Sequence, residues 1–282
     1  MLLNPLTLHL PETRLEAARL YKELEDSRVL AGGTFLLNSM KLLKTKGTRT
    51  ARNILSLAKV DELKGLDFQD GTLTIRAMTR INELLSSPLP QGHVRVLHTV
   101  CRNISTNPIR NMATVGGNLT CRYTWTEMGS VMIALDAGMH FLGPDGKEDV
   151  IAAEDFFKNG ARCEKLFTHV TIKTCPRSRS AYRRVKKTVH VDVPLLAVCV
   201  KTDLNGKQWY NTRVGINNGT AFAQRDRTLE EFLNKSRSSP QLGAEALEHL
   251  TGIIYDTRAS EYKQHMFRVS LRSAIEEISM SS

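Results

Sequence analysis

The sequence predicts an α+β fold in two parts, and three observations carry that reading. Runs with helical spacing alternate with short strand-like runs. Asp70-Gly71 and Asn205-Gly206 each sit between β-patterned segments, as tight hairpin turns do. Between Thr174 and Arg179, polar and basic residues with Pro176 interrupt the pattern, as a linker does.

The elements follow in order. Leu15, Ala18, Tyr21 and Leu24 recur at helical spacing behind Pro11. Ser27 to Leu30 reads as a short strand, Phe35 to Leu43 as a helix and Asn53 to Leu57 as a second strand. Val60, Leu63 and Leu66 continue the core. Asn82 to Leu85 starts a helix that Pro88 and Pro90 end, and Val94 to Ile104 reads as another. Met128, Val131, Met132 and Leu135 mark one helical face. Met139 to Leu142 is a strand, Pro144 to Lys147 a turn and Ala153 to Asn159 a short helix. The stretch Cys163 to Lys173 ends in a strand. Past the linker, an alternating segment ends in a buried strand, Leu195 to Val200. Asn217-Asn218-Gly219 marks a further turn. Leu229 to Leu233, Ala244 to Thr251 and Tyr262 to Ile278 read as helices.

Two glycine pairs stand out. Leu30-Ala31-Gly32-Gly33-Thr34 leads from a strand into a helix. Thr114-Val115-Gly116-Gly117-Asn118 leads from apolar residues into a small, polar, helix-like run. Paired glycines permit positive φ or the close approach of a ligand. Backbone N–H groups in such a loop, beside a helix N-terminus, suit phosphate. One such pair alone would read as an ordinary turn. Two in one domain could cradle a pyrophosphate from both sides. No Gly-Lys-Thr/Ser tripeptide occurs, and the Rossmann dinucleotide fingerprint fails at both loops.

LAGGTFLLNSMK resembles the AGGTDLL…MK motif, and IRNMATVGGNL the IRN-x-AT-x-GGNL motif, of the FAD-binding medium subunit of molybdenum hydroxylases. This is the xanthine dehydrogenase and carbon monoxide dehydrogenase flavoprotein family. The resemblance covers nearly the whole chain. It implies a two-lobed FAD-binding domain (PCMH/vanillyl-alcohol-oxidase-like) over residues 1–174, with lobes of about 1–57 and 58–174. A small C-terminal domain with a three-stranded antiparallel sheet and helices would follow over 178–282. Carried onto this sequence, the motifs place cofactor contacts at Leu30, Ala31, Gly32, Gly33, Thr34, Phe35 and Leu36, and at Ile109, Thr114, Val115, Gly116, Gly117 and Asn118. Glu127 stands where the family has Asp near the ribityl or ribose region; its plain reading is a first-turn acid meeting a helix dipole. Leu166 matches an apolar position near the flavin and reads equally well as core.

The family's Y-x-K-x-x-x-R-x-x-x-D pattern falls on Tyr182, Arg184, Thr188 and Asp192. Arg184 keeps the charge where Lys would approach the isoalloxazine ring, with a bulkier, planar group. Phe35 replaces a common Asp, Arg76 the glycine of I-G-A-x-T, and Thr188 the usual Arg. Tyr255-Asp256-x-Arg258-Ala259-Ser260 resembles the D-x-R-A-S signature and reads as packing and helix entry.

Composition sets the limits. The hydrophobic share of 41% suits a globular chain with its own core. No apolar run approaches the roughly 20 residues of a membrane span. Pro5, Pro11 and early acids argue against a signal peptide, so a cytoplasmic protein is expected. Cys101, Cys121, Cys163, Cys175 and Cys199 are widely spaced, with no C-x-x-C, which argues for free thiols. The net charge of +10 raises nucleic acid as a partner, but low aromatic content and the absence of a nucleic-acid motif argue against it. An acidic partner subunit or an anionic cofactor explains the charge as well.

No Ser-His-Asp, Cys-His, paired-carboxylate or metal-ligand arrangement appears, so no catalytic residue is assigned in this chain. A flavin would carry the redox chemistry itself. The resemblance implies a three-part enzyme, with a molybdopterin-binding large subunit and a small subunit holding two [2Fe–2S] clusters. The FAD of this chain would accept electrons from the clusters and pass them to NAD⁺ or another acceptor. A stand-alone flavin oxidoreductase with its own acid, and a flavin-less basic binding or assembly protein, are the alternative readings. Enlarging Gly33 or Gly117 to Val is expected to expel FAD.

Overall fold

The structure is a computed structural model that describes residues 5–48, 50–121, 123, 126–158, 164–188, 192–219, 222–251 and 260–281. The chain opens with strand β1 (Thr7–His9), helix α1 (Arg14–Glu23), strand β2 (Ser27–Leu30), helix α2 (Leu36–Thr45) and strand β3 (Asn53–Ser56). The Thr13 side chain caps α1 by accepting from the Glu16 N–H. The three strands form a parallel sheet in the order β1-β3-β2. Parallel neighbours need crossover connections, which α1 and α2 supply on either side of β2.

A five-stranded antiparallel sheet follows, ordered β4-β5-β8-β6-β7. Its strands are β4 (Leu66–Gln69), β5 (Thr72–Arg76), β6 (Gly138–Leu142), β7 (Glu148–Ala152) and β8 (Leu166–Lys173). Asp70 (φ 50) and Gly71 (φ 73) turn β4 into β5 with both central residues left-handed, the geometry that a two-residue hairpin with strand-matching twist requires. Between β5 and β6 run short helices: α3 (Ile81–Ser86), α4 (Val96–Asn103), α5 (Asn107–Met112), α6 (Val115–Thr120) and α7 (Met128–Ala134). Helix α8 (Ala153–Lys158) follows β7.

The third sheet is antiparallel and ordered β12-β11-β10-β9. It comprises β9 (Ser178–Lys186), β10 (Pro194–Asn205), β11 (Gln208–Asn217) and the two-residue β12 (Gln224–Arg225). Helices α9 (Arg227–Asn234), α10 (Leu242–Glu245) and α11 (Glu261–Met280) complete the chain. One face of this sheet packs on α11 through Phe267, Leu271, Ala274 and Ile275, with Trp209 fully buried in the same cluster. The other face meets α7. Every residue of α7 is buried, and it lies so close to β11 that a Cβ on Gly215 would sit 2.0 Å from the Ser130 carbonyl oxygen. One continuous core therefore joins β5, β6 and β8 to Tyr182, Ala197 and Cys199 across α7.

Several expectations change. Strands β1 and β7 are additions. The expected helix over Val94–Ile104 begins as a 3₁₀ turn at His93–Arg95. The segment Ala244 to Thr251 holds only the end of α10 and a second 3₁₀ turn, Ala246–His249. The sheet expected to have three strands has a short fourth. Tyr255 to Ala259 lie outside the described residues, but Ser260 does cap α11, accepting from the Lys263 N–H at 3.4 Å. Cys101 and Cys199 are buried free thiols, and Cys121 and Cys175 are half-buried ones. Cys163 lies outside the described residues.

Candidate cofactor site

The first glycine pair is an open cradle. Strand β2 ends at Leu30, whose carbonyl accepts from the Leu57 N–H at 3.0 Å. Gly32 backs directly onto the second region: a Cβ there would lie 2.0 Å from the Met112 carbonyl oxygen. Gly33 takes φ +70, which L side chains avoid. Among the described residues, no acceptor takes the N–H groups of Gly32, Gly33 or Thr34. They lie just before the N-terminus of the ten-residue α2, where no side chain caps the helix. Free donors beside a helix N-terminus favour an anion.

The second glycine pair is not an open loop. Gly116 and Gly117 lie in the first turn of α6, capped by Thr114. The Val115 N–H donates to Thr79 O, Gly116 to Ala77 O, Gly117 to Thr114 Oγ1 and Asn118 to Thr114 O, at 2.8–3.1 Å. The expectation of N–H groups aimed at an anion therefore fails at these four residues. Packing explains the glycines instead. A Cβ on Gly116 would lie 2.7–2.9 Å from the backbone and Cβ of Ala77. A Cβ on Gly117 would lie 3.6 Å from that of Ala31, so the two glycine segments touch. Asn118 Oδ1 is buried and has no hydrogen-bond partner among the described residues.

Glu127, just before α7, forms a buried ion pair with Arg184 on β9. Oε1 meets Nη1 at 2.6 Å, and each side chain is 8% exposed. The Tyr182 hydroxyl donates to Glu127 Oε2 at 3.0 Å. Burial pushes the Glu127 carboxyl up to about 7, against the opposing pull of Arg184, Tyr182 and Lys186. Arg184 also donates to the carbonyls of Asn103 and Asp192, both at 2.6 Å. Arg110 donates to the carbonyls of Ile104 and Ser105. The C-terminal end of α4 thus attracts two guanidinium groups, as exposed helix carbonyls do. The Nε atoms of Arg110 and Arg184 are buried and have no partner among the described residues.

The remaining residues divide. Ile109 packs against the main core. Leu166, 3% exposed, is enclosed by Ala17, Ala18, Leu57 and Leu142. Phe35 meets Tyr123 edge-on, with ring centroids 4.9 Å apart. Sequence reasoning did not foresee the Glu127–Tyr182–Arg184 group, the two arginines on α4 or the Tyr123 contact. Apart from the Arg110 contacts, which span five and six residues, these join residues distant in the chain.

These residues fit a dinucleotide cofactor. The first loop offers unbonded N–H groups, and the second glycine segment packs against it with the buried Asn118 Oδ1 unsatisfied among the described residues. The same arrangement of sheets and helices occurs in solved structures. The Cu,Mo-CO dehydrogenase in its cyanide-inactivated form gives a TM-score of 0.87 at 23% identity, covering 100% of both chains. Quinoline 2-oxidoreductase from Pseudomonas putida 86 gives 0.84 at 18% identity, covering 100% of this chain and 98% of that one. These likenesses define the class of fold.

Residues 4–172 match the family model described as the FAD binding domain in molybdopterin dehydrogenase, and the chain belongs to that family. It is 27% identical over 281 residues to the carbon monoxide dehydrogenase medium chain of Afipia carboxidovorans, covering 95% of this chain and 94% of that one. The corresponding chain of Hydrogenophaga pseudoflava is 31% identical over 150 residues, 53% of this chain and half of that one. A flavoprotein subunit of the carbon monoxide dehydrogenase and xanthine dehydrogenase kind is thereby defined. Among the described residues, no helix is long and apolar enough to cross a membrane.

Proposed function

We propose that this chain is the electron-transfer subunit of a multi-subunit molybdenum hydroxylase. It would take electrons from [2Fe–2S] clusters of a small partner subunit and deliver them to NAD⁺ or another acceptor. A molybdopterin-binding large subunit would select the organic substrate. Bound FAD would supply the redox chemistry. The chain's own residues supply the rest. Gly32, Gly33 and Thr34 would donate backbone N–H groups to the pyrophosphate. Asn118 offers a side-chain acceptor at the contact between the glycine segments. Glu127, held by Tyr182, fixes the Arg184 guanidinium, which would stand near the cofactor. The observation that carries the reading is the set of unbonded N–H groups at Gly32–Thr34, pressed against the Met112 backbone at the entrance to α2.

One observation favours the flavin-less alternative: Arg184 is already paired with Glu127. The visible absorption spectrum of the purified chain, before and after incubation with FAD, separates the two. Oxidised-flavin bands, with FAD released on denaturation, are expected. A chain that stays colourless after incubation would end the electron-transfer reading and leave a binding or assembly role.

A further inference from the structure

A second cavity lies away from the glycine segments, between the ends of the five-stranded and four-stranded sheets. Its volume is about 790 Å³. Its walls come from the end of β8, the start of β9 and the middle of β10 and β11. Ser178 lines it, and Arg184 is six residues further along β9, so that end of the cavity stands about 20 Å from Arg184 at ~3.3 Å per residue.

The wall charges are mostly paired. Lys201 meets Asp203 at 2.7 Å, Arg213 meets Asp136 at 2.6 Å, and Arg225 grips Glu230 at 2.5 Å. Asp203 is further engaged by Ser178 Oγ and by Asn211 Nδ2. Lys173 is the exception: among the described residues its ammonium group has no ion-pair partner. The wall therefore carries one uncompensated positive charge.

The Asp136 side chain is 61% exposed, so the planar guanidinium of Arg213 has only a solvated partner and is open to exchange it. His93 lies in the same wall, 2% exposed, with Nδ1 unpartnered. Burial, aided by Lys201, pushes it down to about 4, so it stays neutral and adds no second charge. One net positive charge, a forked guanidinium and a neutral imidazole, in a cavity of ligand size, match a small organic monoanion. We propose that this cavity is a binding site for a small carboxylate, separate from the cofactor site.

Calorimetric titration of the full chain with sodium lactate tests it, with sodium chloride at equal ionic strength as the blank and inorganic phosphate as the second probe. Saturable lactate binding in the millimolar range is expected. Lys173→Glu, an exposed change at a strand end, should weaken it on the order of tenfold. FAD content and thermal midpoint of that variant should match the unmodified chain, because the cavity is remote from the glycine segments. Heats no larger than the chloride blank, or undiminished lactate binding in Lys173→Glu, would overturn the proposal. Phosphate binding more tightly than lactate would overturn the choice of a carboxylate.

Discussion

Two walls of the proposed cofactor site use the same residue pair for different physical ends. In the first, Gly33 supplies a left-handed backbone angle, and the N–H groups around it have no acceptor among the described residues. In the second, Gly116 is helical and its N–H group is bonded to Ala77. It is glycine because the Ala77 backbone lies where a Cβ would go. The second wall extends through Glu127 and Arg184, which also satisfy one another. On the proposed reading, one wall holds a ligand and the other holds itself. The first should therefore show its defects in cofactor affinity, and the second in stability.

The sharpest way to break the second wall is to unpair its charges. Glu127→Ala leaves the Arg184 guanidinium buried opposite no carboxylate and removes the acceptor of the Tyr182 hydroxyl. A loss of about 3–5 kcal/mol is expected, as when one partner of a buried pair is deleted. Urea unfolding of the chain measures it. Glu127→Leu combined with Arg184→Met should recover part of the loss, because no buried charge is then unmatched. If Glu127→Ala unfolds at the same urea concentration as the unmodified chain, the pair is not a structural element of that wall.

The two glycines give the next contrast. Gly116→Val forces a side chain into the Ala77 backbone and should cost about 1–3 kcal/mol of stability, read as a lower urea midpoint. Gly33→Val places a β-branched residue at φ +70, where the left-handed conformation costs roughly 1–2 kcal/mol. A chain that relieves that strain swings the loop out of register, so FAD affinity should fall at least about tenfold. Equal effects of the two variants on urea midpoint and flavin content would remove the distinction between the walls.

Local chemistry made much of this legible in the sequence. Asp70-Gly71 specified a hairpin because few residue pairs tolerate two left-handed angles in succession. The Ser27–Leu30 strand was bounded by helical spacing on both sides. The glycine pairs were visible, but their roles were not, because a glycine needed for its φ and one needed for a close neighbour look alike in a chain. Only Ala77, far back in the chain, tells Gly116 from Gly33. The Glu127–Arg184 pair was equally hidden, since its members lie on separate elements with three strands between them in the chain. β7 was missed because its exposed edge carries Glu148 and Asp149, and so lacks the apolar alternation of a half-buried strand.

The smallest expected effect tests how far the ligand-holding wall depends on more than its backbone. Phe35 stands at the N-cap of α2, directly after the unbonded N–H groups, and meets Tyr123 edge-on. An aromatic pair of this kind contributes about 0.5–1.5 kcal/mol beyond its buried area. Tyr123 is 44% exposed, so the lower end of that range applies. Phe35→Ala should leave the urea midpoint almost unchanged and raise the FAD dissociation constant by a factor of about 2–5. Fluorescence titration of the apo chain with FAD reads that factor directly. A rise above about tenfold would mean that the ring itself contacts the cofactor, while no change would assign the pair to the surface of the fold and leave the grip to the backbone alone.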